Sequence, residues 1–274
     1  MSIFQAIFLG IIQGLTEFLP ISSSGHLVIL PYFLNWQLPQ KEAFIFNILV
    51  QIGTLLAVLI YFRKDLRDIA VAFFKQLGKG TPFATSDARM AWLLILATIP
   101  AGLAGLFLGD IVEGAFSSPL FAGIALLITG LLMIIAERVN LRIKDSYDIT
   151  LLDALVMGLM QALALFPGIS RSGATISGGM MRQIRREEAG NFSFLMSIPI
   201  MLAAGGLSIY EMLTEVTNLG EFLPIMGVGF LTAGIVGYLA IRWLLKFIKS
   251  HSLVYFSIYC FILGTTTILI WVLA

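Results

Sequence analysis

Glu17 is the only Asp, Glu, Lys or Arg in the first 40 residues, and Arg171 is the only one between Asp153 and Arg182. Each stands beside a stretch crowded with hydroxyls and glycines: Pro20-Ile21-Ser22-Ser23-Ser24-Gly25 after the first, and Pro167-Gly168-Ile169-Ser170-Arg171-Ser172-Gly173 around the second. Ser22, Ser23, Ser24, Ser170, Ser172 and Thr175 offer hydroxyl donors, and Gly25, Gly168 and Gly173 let backbone N–H groups come close to a ligand. The guanidinium of Arg171 is a planar fork suited to phosphate oxygens, and a helix restarting after each stretch aims its positive end at the same place. This is equipment for binding an anion, and a diphosphate fits it.

His26 directly follows the first stretch, nine residues after Glu17. Its imidazole can attack phosphorus or protonate a leaving group. Glu17 can orient His26 or hold a divalent cation against phosphate charge, and Gln13, four residues earlier on the same helical face, can add a carbonyl ligand or a hydrogen bond. The plainer alternative is a buried Glu17–Arg171 ion pair with a purely structural task, although such a pair needs neither the serines nor the glycines. Close helix packing explains the outer glycines but not Arg171. Asn47 and Gln51 form a second polar pair four residues apart, better read as helix–helix contacts, and His251 sits among basic residues with no special role.

A charge pair of this kind has to be held inside a membrane. The 274 residues are 58% hydrophobic and 12% charged, with a mean hydropathy of +0.95, which points to an all-α polytopic protein embedded in bilayer lipid. The net charge of +1 argues against a nucleic-acid partner, which requires a dense basic surface. Cys260 is a lone packing residue, and the N-terminus has no signal-peptide pattern and is expected to be retained. Apolar stretches at 44–62, 90–108, 119–136, 191–212, 223–245 and 253–273 are expected to be spans. The regions 2–35 and 151–181 are broken in the middle and read as re-entrant hairpins with buried tips. Segments 63–89, 137–150, 180–190 and 242–252 hold 15 of the 17 Lys and Arg, all but Lys41 and Arg171, and the layout puts all four on one side, the cytoplasmic one. The other face carries Asp110, Glu113, Glu215 and Glu221, with Lys41 as its only basic residue, and both termini. Shifting the first half by 148 positions lays Gln13 on Gln161, Phe18 on Phe166, Ile21-Ser22-x-Ser24-Gly25 on Ile169-Ser170-x-Ser172-Gly173, and Phe44-x-Phe46 on Phe192-x-Phe194. A single membrane domain, 1–274, built as an inverted repeat of 1–140 and 149–274, follows as the expectation, with its site where the two breaks meet.

Gln13-Gly-Leu-Thr-Glu17, whose first position is Glu or Gln in relatives, and Pro167-Gly-Ile-Ser-Arg-Ser-Gly-Ala-Thr175 resemble the two signatures of bacterial undecaprenyl-diphosphatases, the bacitracin resistance proteins. The resemblance covers essentially the whole chain. It implies hydrolysis of undecaprenyl diphosphate in the bacterial cytoplasmic (inner) membrane, recycling the lipid carrier for peptidoglycan and lowering bacitracin's target. It also implies a divalent metal ion (Mg2+ or Ca2+), with Glu17 as the essential acid beside it, His26 as nucleophile or general acid, and Ser23 and Arg171 as diphosphate contacts. Access is expected from the extracytoplasmic side. Gln13 in place of Glu removes one charge from the metal site. A lipid-phosphate transporter built on the same repeat is the alternative; an ion channel fits less well, since neither break resembles a filter of carbonyls. Isoprenoid length stays open, and so does oligomeric state, including a homodimer.

Overall fold

In hydrocarbon a backbone must satisfy its own N–H and C=O groups, which confines an apolar chain like this one to helices. The computed structural model describes residues 1–36, 40–115, 118–141, 143–215 and 219–273. Its α-helices are α1 (Ile3–Phe18), α2 (Ser23–Phe33), α3 (Gln40–Tyr61), α4 (Arg63–Gly78), α5 (Ser86–Ala115), α6 (Pro119–Val139), α7 (Leu151–Leu163), α8 (Arg171–Met181), α9 (Arg186–Glu215), α10 (Leu219–Ser250) and α11 (Val254–Leu273). Five of them, α5, α6, α9, α10 and α11, contain stretches long and apolar enough to cross a membrane. Helices α3 and α4, bent by 74° at Phe62, make a sixth if taken together.

Two differences from the sequence reading have physical causes. The segment after the first span, expected to be a basic connection, contains helix α4. Its charges mask an apolar face, and it buries no residue fully, leaving the bundle to lie beside α5 with Phe73 against Trp92. The acidic residues expected between the spans of the opposite face do lie beyond the spanning stretches, but in helical extensions of them: Asp110 and Glu113 in α5, Glu215 in α9 and Glu221 in α10. Their side chains, like that of Lys41, lie outside the described residues.

The two interrupted regions give short helices. Ser2 and Gln5 form a capping box that starts α1, and Thr150 and Asp153 form another that starts α7. Helix α1 stops at Phe18 because Pro20 forces Leu19 into extended backbone, φ −62° and ψ 142°. Helices α1 and α7 have 16 and 13 residues, and α2 and α8 have 11 each, all short of the roughly 20 that a span takes. Adding 148 to the bounds of α2 gives those of α8.

Small residues set how closely these helices approach. A Cβ on Gly53 of α3 would sit 2.4 Å from the Phe230 carbonyl oxygen of α10, and one on Gly158 of α7 would sit 2.5 Å from that of Ala97 of α5. Helix α1 packs along α10, α7 along α5, and α6 along α11. The short helix of each half is thereby seated on a long helix of the other.

The start of α7 and the end of α8 are tied together among basic residues. Asp153, fully buried, accepts hydrogen bonds from Lys144 Nζ and Arg182 Nε, each at 2.8 Å. Removing the carboxylate strands two cations, but both keep some access to solvent, so the loss falls below that of a fully buried pair. For Asp153→Ala we expect about 2–3 kcal/mol of lost stability, measured as a lower melting temperature in detergent.

Candidate active site

Helix α1 carries Gln13 and Glu17 one turn apart, and the Gln13 amide donates to Glu17 Oε2 at 3.1 Å. After the break, Ser22 takes a left-handed backbone, φ 69°, a strained choice for a non-glycine residue. Its hydroxyl oxygen caps α2 by accepting from the Gly25 N–H at 3.2 Å and lies 3.3 Å from Ser24 Oγ. This places Ser23, the first residue of α2, so that its hydroxyl donates to Glu17 Oε2 at 2.6 Å.

The second break repeats the device. Ser170 caps α8 by accepting from the Gly173 N–H at 3.1 Å, and its hydroxyl lies 3.2 Å from Ser172 Oγ. Gly168 turns the chain at φ 95°. Thr129 of α6, which the sequence reading passed over, accepts from the Ser170 N–H at 3.0 Å and donates to the Gly168 carbonyl at 3.2 Å, strapping the turn to a span. Nothing local in the sequence marks it beyond being a hydroxyl in an apolar run.

The two breaks touch. Ser172 donates to the Leu19 carbonyl of the first break at 3.2 Å, and a Cβ on Gly25 would lie 3.0 Å from Gly168 Cα. Arg171, first residue of α8, donates from Nη2 to Glu17 Oε1 at 2.8 Å across the junction. The Glu17 carboxylate thus receives Gln13, Ser23 and Arg171 while its side chain keeps 11% exposure.

Glu17, Ser22, Ser23, Ser24, Ser170 and Arg171 line a cavity of about 310 Å³, with Gln51, Gln161, Leu55 and Met201 among its other walls. Gly25, Gly168, Ser172, Gly173 and Thr175 are not in its lining. The glycines allow the close approach, Ser172 ties the breaks, and Thr175 bonds the Arg171 carbonyl at 2.7 Å and Ser193 Oγ at 2.6 Å. Three polar groups at or behind this cavity are buried without a hydrogen-bond partner in the protein: Gln13 Oε1, Arg171 Nη1 and both amide atoms of Gln161. Each such atom costs about 1–3 kcal/mol unless something in the cavity pairs with it.

His26 is placed elsewhere. It is 2% exposed and does not line the cavity. Nδ1 lies 2.6 Å from the Ser22 carbonyl, which only accepts, so Nδ1 carries the proton; Nε2 then accepts from the Tyr259 hydroxyl of α11 at 2.6 Å. Both ring nitrogens are engaged, and neither faces Glu17. The sequence reading placed His26 by its closeness in the chain, which does not reveal that one turn into α2 the side chain points at α11.

A larger cavity, about 700 Å³, opens at the basic face between α4, α5, α9 and α10, with Asp65, Glu187, Arg242 and Lys246 among its walls. It shares no residue with the site. Phe194 stacks edge-on against Phe18 at 5.6 Å and lies 6.3 Å from Phe62, closing the core between the two.

Residues 6–266 match the family model described as bacitracin resistance protein BacA. The chain belongs to this family. Among its relatives in the BacA family, the undecaprenyl-diphosphatase of Chlorobium phaeobacteroides is 42% identical over 271 residues, covering 96% of this chain and 95% of the relative. That of Rubrobacter xylanophilus is 43% identical over 264 residues, 96% of each chain, and that of Myxococcus xanthus is 39% identical over 264 residues, 96% of this chain and 87% of the relative.

The packing of the second break on α6 leaves no room for a methyl group at Gly168, where a Cβ would lie 2.4 Å from the Ala122 carbonyl oxygen in a backbone only glycine adopts freely. Gly168→Ala is expected to lower stability by about 2 kcal/mol or more, read as the detergent melting temperature, and to cut activity in parallel.

Proposed function

We infer that the protein hydrolyses undecaprenyl diphosphate to undecaprenyl phosphate and inorganic phosphate, returning the lipid carrier for cell-wall synthesis and reducing the target of bacitracin. The observation that carries the chemistry is the Glu17 carboxylate receiving Ser23 Oγ–H at 2.6 Å on one oxygen and Arg171 at 2.8 Å on the other, at the wall of a cavity among the helices.

Ser23 is the nucleophile this geometry provides. Its oxygen attacks the terminal phosphorus as its proton passes to Glu17 Oε2, the bond from that phosphorus to the bridging oxygen breaks, and undecaprenyl phosphate leaves carrying that proton on the former bridging oxygen, which returns Glu17 to the carboxylate. Water then attacks the phosphoserine phosphorus as Glu17 takes its proton, the bond from Ser23 Oγ to phosphorus breaks, and Glu17 passes the proton to Oγ, freeing phosphate and restoring both residues. Arg171 supplies fixed positive charge to the phosphoryl oxygens through the unpaired Nη1, at no cost of reorganisation. His26 and Tyr259 act as positioning residues, holding the Ser22 carbonyl and with it the left-handed turn that presents Ser23.

Gln13 Oε1 is buried and unpaired next to Glu17, a hard oxygen donor where a divalent cation would share a carboxylate with substrate phosphate. No cluster of three or more His, Cys, Asp or Glu that could hold a metal occurs among the described residues, so such an ion depends on the diphosphate for further ligands. Gln13 and Glu17 would hold Mg2+ or Ca2+, and when bound it neutralises charge on the diphosphate.

The repeat reading is supported by the matched caps at the two breaks and by the equivalent bounds of α2 and α8. We read α1–α2 and α7–α8 as re-entrant hairpins among six spans, in the inner membrane with the basic face cytoplasmic. The cavity reaches Val112 and Gly205, toward the ends of α5 and α9 remote from that face. Substrate therefore enters from the extracytoplasmic side, its first isoprene units against Ile52, Leu55 and Ile200.

Phosphate release by purified protein in detergent tests this. Ser23→Ala is expected to lose about 10³-fold or more in kcat, and Arg171→Ala about 10²–10³-fold. His26→Gln and Tyr259→Phe are expected to lose less, with the pH profile unchanged, whereas a histidine acting on phosphorus would shift it. Chelation of divalent ions should stop release, and Gln13→Glu should lower the metal concentration that gives half-maximal activity. Metal-independent release would remove the cation from the account.

A further inference from the structure

Gln161 lies on α7, the helix that leads into the second break, and its side chain lines the cavity that holds Glu17 and Arg171. It is 2% exposed, and neither Nε2 nor Oε1 has a hydrogen-bond partner in the protein. A buried glutamine in a membrane helix ordinarily bonds a neighbouring helix; this one bonds none.

Its counterpart shows why. Gln13, 148 positions earlier, gives its amide to Glu17 four residues on. Four residues after Gln161 stands Leu165, which accepts nothing. An aliphatic side chain at 161 would line the wall without leaving polar atoms unpaired, so the stabilising partner of this amide has to come from whatever occupies the cavity. In the lining of the same cavity Arg171 Nη1 is also unpaired, and the two groups together offer one charged and one neutral donor.

We propose that Gln161 is a substrate-binding residue whose amide N–H donates to a non-bridging oxygen of the diphosphate, together with Arg171. This rests on the diphosphatase reading. Because the amide is neutral and meets phosphate charge before and during reaction alike, its contribution belongs to KM more than to kcat.

The test uses the full-length protein in detergent, as wild type, Gln161→Leu and Gln161→Glu, with two readouts: phosphate release from undecaprenyl diphosphate, and the rise in melting temperature that this lipid produces, beside undecaprenyl phosphate, which has no anhydride bond to hydrolyse, as the control. For Gln161→Leu we expect a melting temperature without lipid equal to or above that of wild type, a kcat/KM about 10- to 100-fold lower through KM, and a smaller lipid-induced rise. Gln161→Glu, which sets a carboxylate against phosphate, should fall below the Leu variant. Wild-type kinetics in Gln161→Leu, or a fall of its melting temperature in step with its activity, overturns the proposal, the latter by making the residue structural. Activity of Gln161→Glu at or above wild type overturns it in favour of a cation ligand. If wild type releases no phosphate, the diphosphatase reading fails, and the lipid-induced melting shift still decides whether Gln161 binds the headgroup.

Discussion

A carboxylate and a guanidinium held in the apolar interior of a membrane protein dictate the architecture around them. Either charge alone at that depth would cost about 2.5–3.5 kcal/mol even on insertion scales, and Glu17 and Arg171 come from opposite halves of the chain. They meet at 2.8 Å because the chain breaks and turns between α1 and α2 and again between α7 and α8. Pro20 ends the first helix, Gly168 opens the second turn, Gly25 and Gly168 permit contact, Ser172 bridges to Leu19, and Thr129 straps the junction to a span. Seating α1 on α10 and α7 on α5 fixes each hairpin against the other half. The pair is thus a structural constraint and, through the atoms it leaves unpaired, a chemical one.

The same low-polarity setting gives the site its direction. Phe18, Phe62 and Phe194 close the core toward the basic face, while serines, Gln161 and Arg171 face the cavity on the other side of that closure. In such surroundings a few fixed donors act strongly on a diphosphate, since no solvent has to reorganise around the reacting phosphorus. Ser23 gains its position from backbone geometry: the left-handed turn at Ser22, held by its own cap and by His26, starts α2 with Ser23 aimed at Glu17.

Much of this was legible in the residues. Isolated charges in apolar surroundings, prolines before serine-rich stretches and the 148-residue shift located both breaks and brought Glu17 and Arg171 to one site, whereas Ser23 stood out from its neighbouring serines only through the family resemblance. Side-chain direction was not legible. His26 is three residues from Ser23 yet turns to Tyr259, a residue 233 positions away that no local pattern connects to it. Thr129 escaped for the same reason, as a lone hydroxyl in a span. Helix α4 was hidden because its charges outweigh its apolar face, and Gln161 appeared only as a repeat match because its significance lies in lacking a partner.

The central claim is that Ser23, activated by Glu17, carries the phosphoryl group. Rapid acid quench of the protein turning over undecaprenyl diphosphate labelled in its terminal phosphate, followed by peptide mapping, tests it most directly. The account predicts label on Ser23; label on His26, or on any other residue, would contradict it.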